Sequence, residues 1–156
     1  MHPTSAPPAS IHATLEPAPI PADWVIDGAP QARASELARS PDGTCTLATW
    51  DCTAGTFHWY FNIEETIHIL EGEVLVQGED GRHALLRAGD VAVMPANTWM
   101  VWHVERYVRK LAICRFPVPR PFGWLVRRVQ QVRTKLALRR PPRAVPAHDS
   151  TAATVS

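Results

Sequence analysis

Short runs of β-branched and aromatic residues, broken by turn residues every eight to twelve positions, predict an all-β fold: a single barrel or jelly roll. Three observations carry this. The run 67–78, I-H-I-L-E-G-E-V-L-V-Q-G, has the Val/Ile content and alternation of strands with one buried face. Turn signals recur at Asp42-Gly43, Glu79-Asp80-Gly81-Arg82 and Ala88-Gly89-Asp90. Pro95 ends the run Val91-Ala92-Val93-Met94, as proline does at a strand terminus. With 156 residues the chain can build one core of ordinary size, and the barrel is expected over 23–117.

In order along the chain, residues 1–22 hold six prolines among small residues and are expected to be a disordered arm, because they bury too little apolar surface to offset chain entropy. Trp24-Val25-Ile26 reads as a first short strand, and Pro30 as the start of a helical turn carrying Ala32, Leu37 and Ala38. Strands are then expected at 44–52, 56–61, 65–71, 73–78, 83–87, 91–94, 99–104 and 107–116. Glu71-Gly72-Glu73 is read as a turn joining two antiparallel neighbours, with glycine supplying its backbone. Pro117, Pro119 and Pro121 stop the sheet. Over 118–142 the pattern changes to a basic amphipathic helix, with Leu125, Val129, Val132 and Leu136 on one narrow stripe. Residues 143–156 are expected to be a flexible tail.

The net charge of +1 hides an asymmetry: residues 1–119 carry eight Lys/Arg against fourteen Asp/Glu, and 120–156 carry eight against one. No apolar run is long enough to span a bilayer and no secretory signal is visible, so the cytoplasm is the expected compartment. Cys45, Cys52 and Cys114 have no metal-finger spacing and read as small strand residues.

Several separated motifs carry a family resemblance. Glu65, six residues and Gly72 match the end of the first cupin motif; Gly89, five residues and Pro95 match the start of the second. The runs W-D-C-T-A-G-T-F at 50–57, E-E-T-x-x-I-L-E-G-E from Glu64 and W-H-V-E-R-Y-V-R-K at 102–110 are similar to the small ureidoglycine aminohydrolase-type and ethanolamine-utilisation-type cupins. The resemblance spans roughly Trp24 to Phe116 and implies a cupin-type (RmlC-like) barrel, commonly a homodimer. It also implies an interior metal held by two His and one Glu of the first motif and one His of the second. A four-residue spacer before Glu65 places the first two on His58 and Tyr60, a three-residue spacer on Trp59 and Phe61, and the last falls on Met100. That set suits no hard divalent ion, so no tightly bound metal is expected. His103 lies three residues beyond Met100 and faces the other way, and His68 likewise faces away from the interior.

Three arrangements of His58, Tyr60 and Glu65 remain open. They are interior groups satisfied by one another; or they line a metal-free pocket with Glu65 or His58 as acid or base; or His58 and Glu65 form a weak, non-standard metal site. Trp59 and Trp102, with Tyr60 and Met100, are the candidate pocket wall, either around a cavity or as a filled core. Of Arg109 and Lys110, one is expected to pair with a carboxylate in a solvated bridge at the barrel rim. The functional expectation is a cupin binding a small polar molecule inside its barrel. The alternative is a non-catalytic dimeric scaffold whose segment 122–140 meets a protein partner or an anionic membrane surface, with no specific nucleic acid.

Overall fold

A computed structural model describes residues 9–138, and side chains of the C-terminal helix over 122–134. Residues 1–8 of the expected arm, the end of the 118–142 segment and the whole of 143–156 lie outside the described residues. The chain forms two compact units, Met1–Pro117 and Val118–Ser156.

The first unit is a β-structure of eight strands: β1 (Glu16–Pro17), β2 (Val25–Gly28), β3 (Ala32–Arg39), β4 (Cys45–Phe61), β5 (Glu64–Gly78), β6 (His83–Arg87), β7 (Val91–Met94) and β8 (Thr98–Arg115). Their order is β1-β3-β4-β8-β5-β6, with β2 also on β4 and β7 also on β5, and every pairing is antiparallel. The three longest strands are each the merger of two that the sequence suggested. Each bends at bulges, β4 between Thr53 and Gly55, β8 at the same rung, and β5 between Ile69 and Leu75. Bulged strands turn corners, so β4 and β5 each change one neighbour halfway, while β8 runs between them throughout. One half of β4 pairs with β3 and the other with β2; one half of β5 pairs with β7 and the other with β6. The two halves bury one shared core, in which Cys52, Phe57, Phe61, Ile67, Ile69, Val74, Trp102, Val104 and Val108 are nearly inaccessible. This is the jelly-roll barrel expected from the sequence.

Gly72 therefore does not turn the chain between antiparallel neighbours: 65–71 and 73–78 are one strand. Its φ of 71° marks the bulge, and a Cβ there would lie 2.0 Å from the Tyr107 carbonyl oxygen of β8. The helical turn expected after Pro30 is also corrected. Ala32–Arg39 is a strand paired with β4 from Ala32↔Cys52 to Arg39↔Thr46, because buried pairing outweighs the helix preference of Ala and Glu. Within the expected arm, Glu16 and Pro17 pair with Ala34 and Arg33, and Ile20 is buried, so disorder does not extend over Glu16–Ile20.

The second unit contains α1 (Arg120–Leu138). Proline suits its first turn, where backbone N–H groups lack intrahelical partners. Among the described residues no helix is long and apolar enough to cross a membrane.

Candidate functional site

Strand parity decides which side chains of β4 enter the barrel. Phe57 and Phe61 are buried and Trp59 packs against the core, whereas His58 is exposed and Tyr60 only half-buried. Large apolar groups at every second position fix this choice, since a one-residue slip would expose all three rings. His58 and Tyr60 are thus corrected to the outer face, and the histidine positions of the family motif fall on Trp59 and Phe61. In β8, Met100 and Trp102 face inward as expected; Met100 pairs with Trp59 and Trp102 with Phe57 across the ladder. His103 is exposed, with its Nδ1 2.7 Å from Thr56 Oγ1. His68, flanked by buried Ile67 and Ile69, does not share the interior face.

Inside, Glu65 meets Lys110 in a short hydrogen-bonded ion pair. Glu65 is 9% exposed and Lys110 3%. The ammonium also sits over Trp102 (4.7 Å to the centroid), Trp50 (5.1 Å) and Phe61 (5.9 Å), where the ring faces attract a cation. These rings pack on one another: Trp50–Trp102 5.8 Å, Trp50–Trp59 5.8 Å, Phe57–Trp102 6.4 Å between centroids. The rim salt bridge expected for Arg109 or Lys110 is instead this buried pair, while Arg109 points the other way and donates to the Ile11 carbonyl at 2.6 Å. Two interior donors, the indole N–H groups of Trp50 and Trp102, are buried without a protein acceptor.

These residues do not fit a cupin metal. An indole, a phenyl ring and a thioether stand at three ligand positions, and the remaining carboxylate is engaged by an ammonium. Among the described residues no three His, Cys, Asp or Glu side chains come together to hold an ion. Burial pushes the Cys114 thiol, opposite Glu65 on the neighbouring strand, up to about 11, with the Glu65 charge adding to the effect. Cys52 is pushed up to about 12, again chiefly by burial.

A second buried carboxylate, Asp51, accepts from Arg33 Nε (3.1 Å) and Nη2 (2.5 Å) and from the Tyr107 hydroxyl (2.9 Å). Burial, then the Asp51 bond, raises the Tyr107 phenol to about 12. Neither Lys110 nor Asp51 was singled out as a site residue by spacing. The signal for Lys110 was its place between Val108 and Ala112, a polar residue on an otherwise buried face.

On the outer face the displaced residues assemble differently. Trp99 is 39% exposed and lies 5.0 Å from Trp24, 5.0 Å from Tyr60 and 6.3 Å from His58 between ring centroids. Glu79 Oε1 accepts from the Trp99 backbone N–H at 3.0 Å. Tyr60 donates to Asn97 Oδ1 at 3.4 Å, and Asn97 holds φ 60°, a conformation asparagine tolerates. A depression of about 210 Å³ opens beside them, lined by His58, Gln77, Gly78, Glu79, Trp99 and Val101 among others.

An eight-stranded jelly roll with this motif order defines a cupin barrel. Residues 39–112 match the EutQ-like cupin domain. The structure is similar to an ethanolamine utilization protein Q from Salmonella typhimurium LT2 (26% identity, TM-score 0.50, covering 55% of this chain and 69% of that one). It is also similar to a protein of unknown function from Pseudomonas syringae pv. tomato (25% identity, TM-score 0.62, covering 68% of this chain), of whose length it spans only 46%. The Clostridium difficile EutQ protein shares the fold at 16% identity and TM-score 0.50, over 55% of this chain and 68% of that one. No curated protein matches the chain. The barrel is a cupin of the EutQ type.

Proposed function

We propose that this cupin is a metal-independent binding module that takes a small polar molecule with one flat apolar face, on the outer surface of the barrel rather than within it. The observation that carries this is the Trp99 platform: a part-exposed indole braced by Trp24 and Tyr60, with a histidine, a carboxylate and an amide around a shallow depression. Stacking on the ring supplies affinity, and His58, Glu79 and Gln77 supply hydrogen-bonding specificity. The interior is filled by packed rings around the Glu65–Lys110 pair, which leaves Glu65 no free role as acid or base. No reaction is assigned. The ureidoglycine aminohydrolase chemistry of the resembling family needs the ligand set that Trp59, Phe61 and Met100 replace.

A second reading, a small hydrogen-bond acceptor inside the barrel, is favoured by the unpartnered indole N–H groups of Trp50 and Trp102, since a buried unmet donor costs about 1–3 kcal/mol. One experiment separates the two. Cyclic sugars, nucleosides and small carboxylates are screened by thermal shift and tryptophan fluorescence, and any stabilising compound is retested on Trp99→Ala, His58→Ala and Trp102→Phe. Stabilisation lost in the first two and kept in Trp102→Phe is expected. Loss in Trp102→Phe alone places the ligand inside, and a screen in which nothing stabilises the protein refutes the proposal.

A further inference from the structure

The second unit carries an exposed apolar face on α1. Projected at 100° per residue, Phe122, Leu125, Val126, Val129 and Val132 of α1 fall within an arc of about 120°. All five are exposed, from 49% at Val129 to 62% at Phe122. Arg127, Gln131 and Thr134 lie opposite, as does the Trp124 ring, and Arg128 flanks the stripe with its guanidinium 5.5 Å from the Trp124 ring centroid. Arg133 falls within the apolar arc near one side, where its long stem can carry the charge up to the polar level. From Arg120 to Arg143 the chain has eight Lys/Arg and no Asp or Glu. A second copy of this helix packed stripe to stripe would draw Arg133, which falls within the arc, into the apolar seam. An anionic bilayer meets both features at once: its headgroups take the cations, and its acyl boundary takes the stripe. The arginines also forbid a spanning arrangement.

We propose that α1 lies in the surface of an anionic phospholipid membrane, with Phe122, Leu125, Val129 and Val132 buried at the acyl boundary and Arg127, Arg128 and Arg133 among the headgroups. The barrel is thereby tethered to the bilayer. The test is co-sedimentation of the full chain with vesicles of phosphatidylcholine alone or phosphatidylcholine mixed with phosphatidylserine. Binding to the mixed vesicles only, weakened by added salt, is expected. Replacing Arg127, Arg128 and Arg133 together by Gln should weaken partitioning on the order of a hundredfold. Val129→Ser with Val132→Ser should weaken it by at least about tenfold. Both variants should keep the barrel's melting temperature, which shows that the loss is not unfolding. Equal sedimentation with the two vesicle types, or an arginine variant that binds like the parent, overturns the proposal. So does a change of oligomeric mass in the serine variant without vesicles, which assigns the stripe to a second copy. Salt-sensitive binding to double-stranded DNA that survives the serine changes, with no vesicle binding, overturns it in favour of nucleic acid.

Discussion

Replacing Lys110 by methionine tests the account of the interior most directly. The change keeps most of the stem and removes the charge, so Glu65 is left as a carboxylate 9% exposed with no cation beside it. Breaking one side of a buried pair costs about 3–5 kcal/mol. The ring faces of Trp50 and Trp102 lose their cation as well, which adds up to ~2 kcal/mol. In a barrel of this size 1 kcal/mol moves the melting temperature by roughly 4–8 °C, so Lys110→Met should melt at least about 12 °C lower. The companion variant, Lys110→Met with Glu65→Leu, removes both charges and should return to within about 1 kcal/mol of the parent, since apolar replacements of buried pairs are often neutral or better. Guanidinium unfolding followed by tryptophan fluorescence measures the cycle, with Trp50 and Trp102 reporting on the surroundings of the ammonium. A single variant within about 1 kcal/mol of the parent, or a double variant as unstable as the two singles summed, would falsify the buried-pair account.

Gly72→Val should damage folding far more than Gly78→Ala: the first needs positive φ and puts a Cβ against the Tyr107 carbonyl, while the second meets the Asp80 side chain at 3.1 Å and the Arg82 carbonyl oxygen at an ordinary 3.9 Å. Equal melting temperatures would count against the bulge. At high pH, Cys114 (about 11), Cys52 and Tyr107 (both about 12) all hold their protons more tightly when folded than their ordinary values of 9.0, 9.0 and 10.0. A raised acid pKa means the folded state prefers the neutral form, so stability is flat below about pH 9 and falls as pH rises through 11–12. Urea midpoints should show this fall, and it should be shallower in Tyr107→Phe; an unchanged slope there argues against the Tyr107 contribution.

The barrel was legible because turn residues and β-branched runs are local signals: Gly89 and Pro95 bound β7 in sequence and structure alike, whereas the 67–78 run was recognised as strand but its Gly72 bulge was read as a turn. Parity was not. Whether His58 or Trp59 points inward depends on the two residues that bend the chain after Phe61, and the spacing to Glu65 allowed either. Counting burial would have helped, since Phe57, Trp59 and Phe61 together hide far more apolar surface than Thr56, His58 and Tyr60. Lys110 was legible in the same way. Trp102, Val104, Val108, Lys110 and Ala112 keep one parity across the bulge between Val104 and Tyr107, so extrapolating from Trp102 places Lys110 rather than Arg109 in the core. Ala32–Arg39 misled in another way: its alanines and glutamate favour a helix, and only the ladder to β4 and the Arg33–Asp51 bridge make it a strand.

The same geometry makes a prediction about metals that does not depend on any ligand. A site occupied at a hundred times its Kd adds about 2.7 kcal/mol to stability, which for this barrel means a rise of roughly 10–20 °C. Trp59, Phe61 and Met100 offer no such site. Glu65 is the sole carboxylate at the motif positions, and a divalent cation could reach it only by displacing Lys110, leaving an ammonium buried at a cost of several kcal/mol. Melting curves with added Mn2+, Fe2+, Ni2+ or Zn2+, and with EDTA, should therefore superimpose within about 1 °C. The purified protein should carry less than about half an equivalent of any transition metal. His58 is a useful control, because on the outer face it can bind metal weakly without touching the interior. A rise of 10 °C or more that survives His58→Ala and disappears in Glu65→Gln would show that the ammonium does yield to a metal ion.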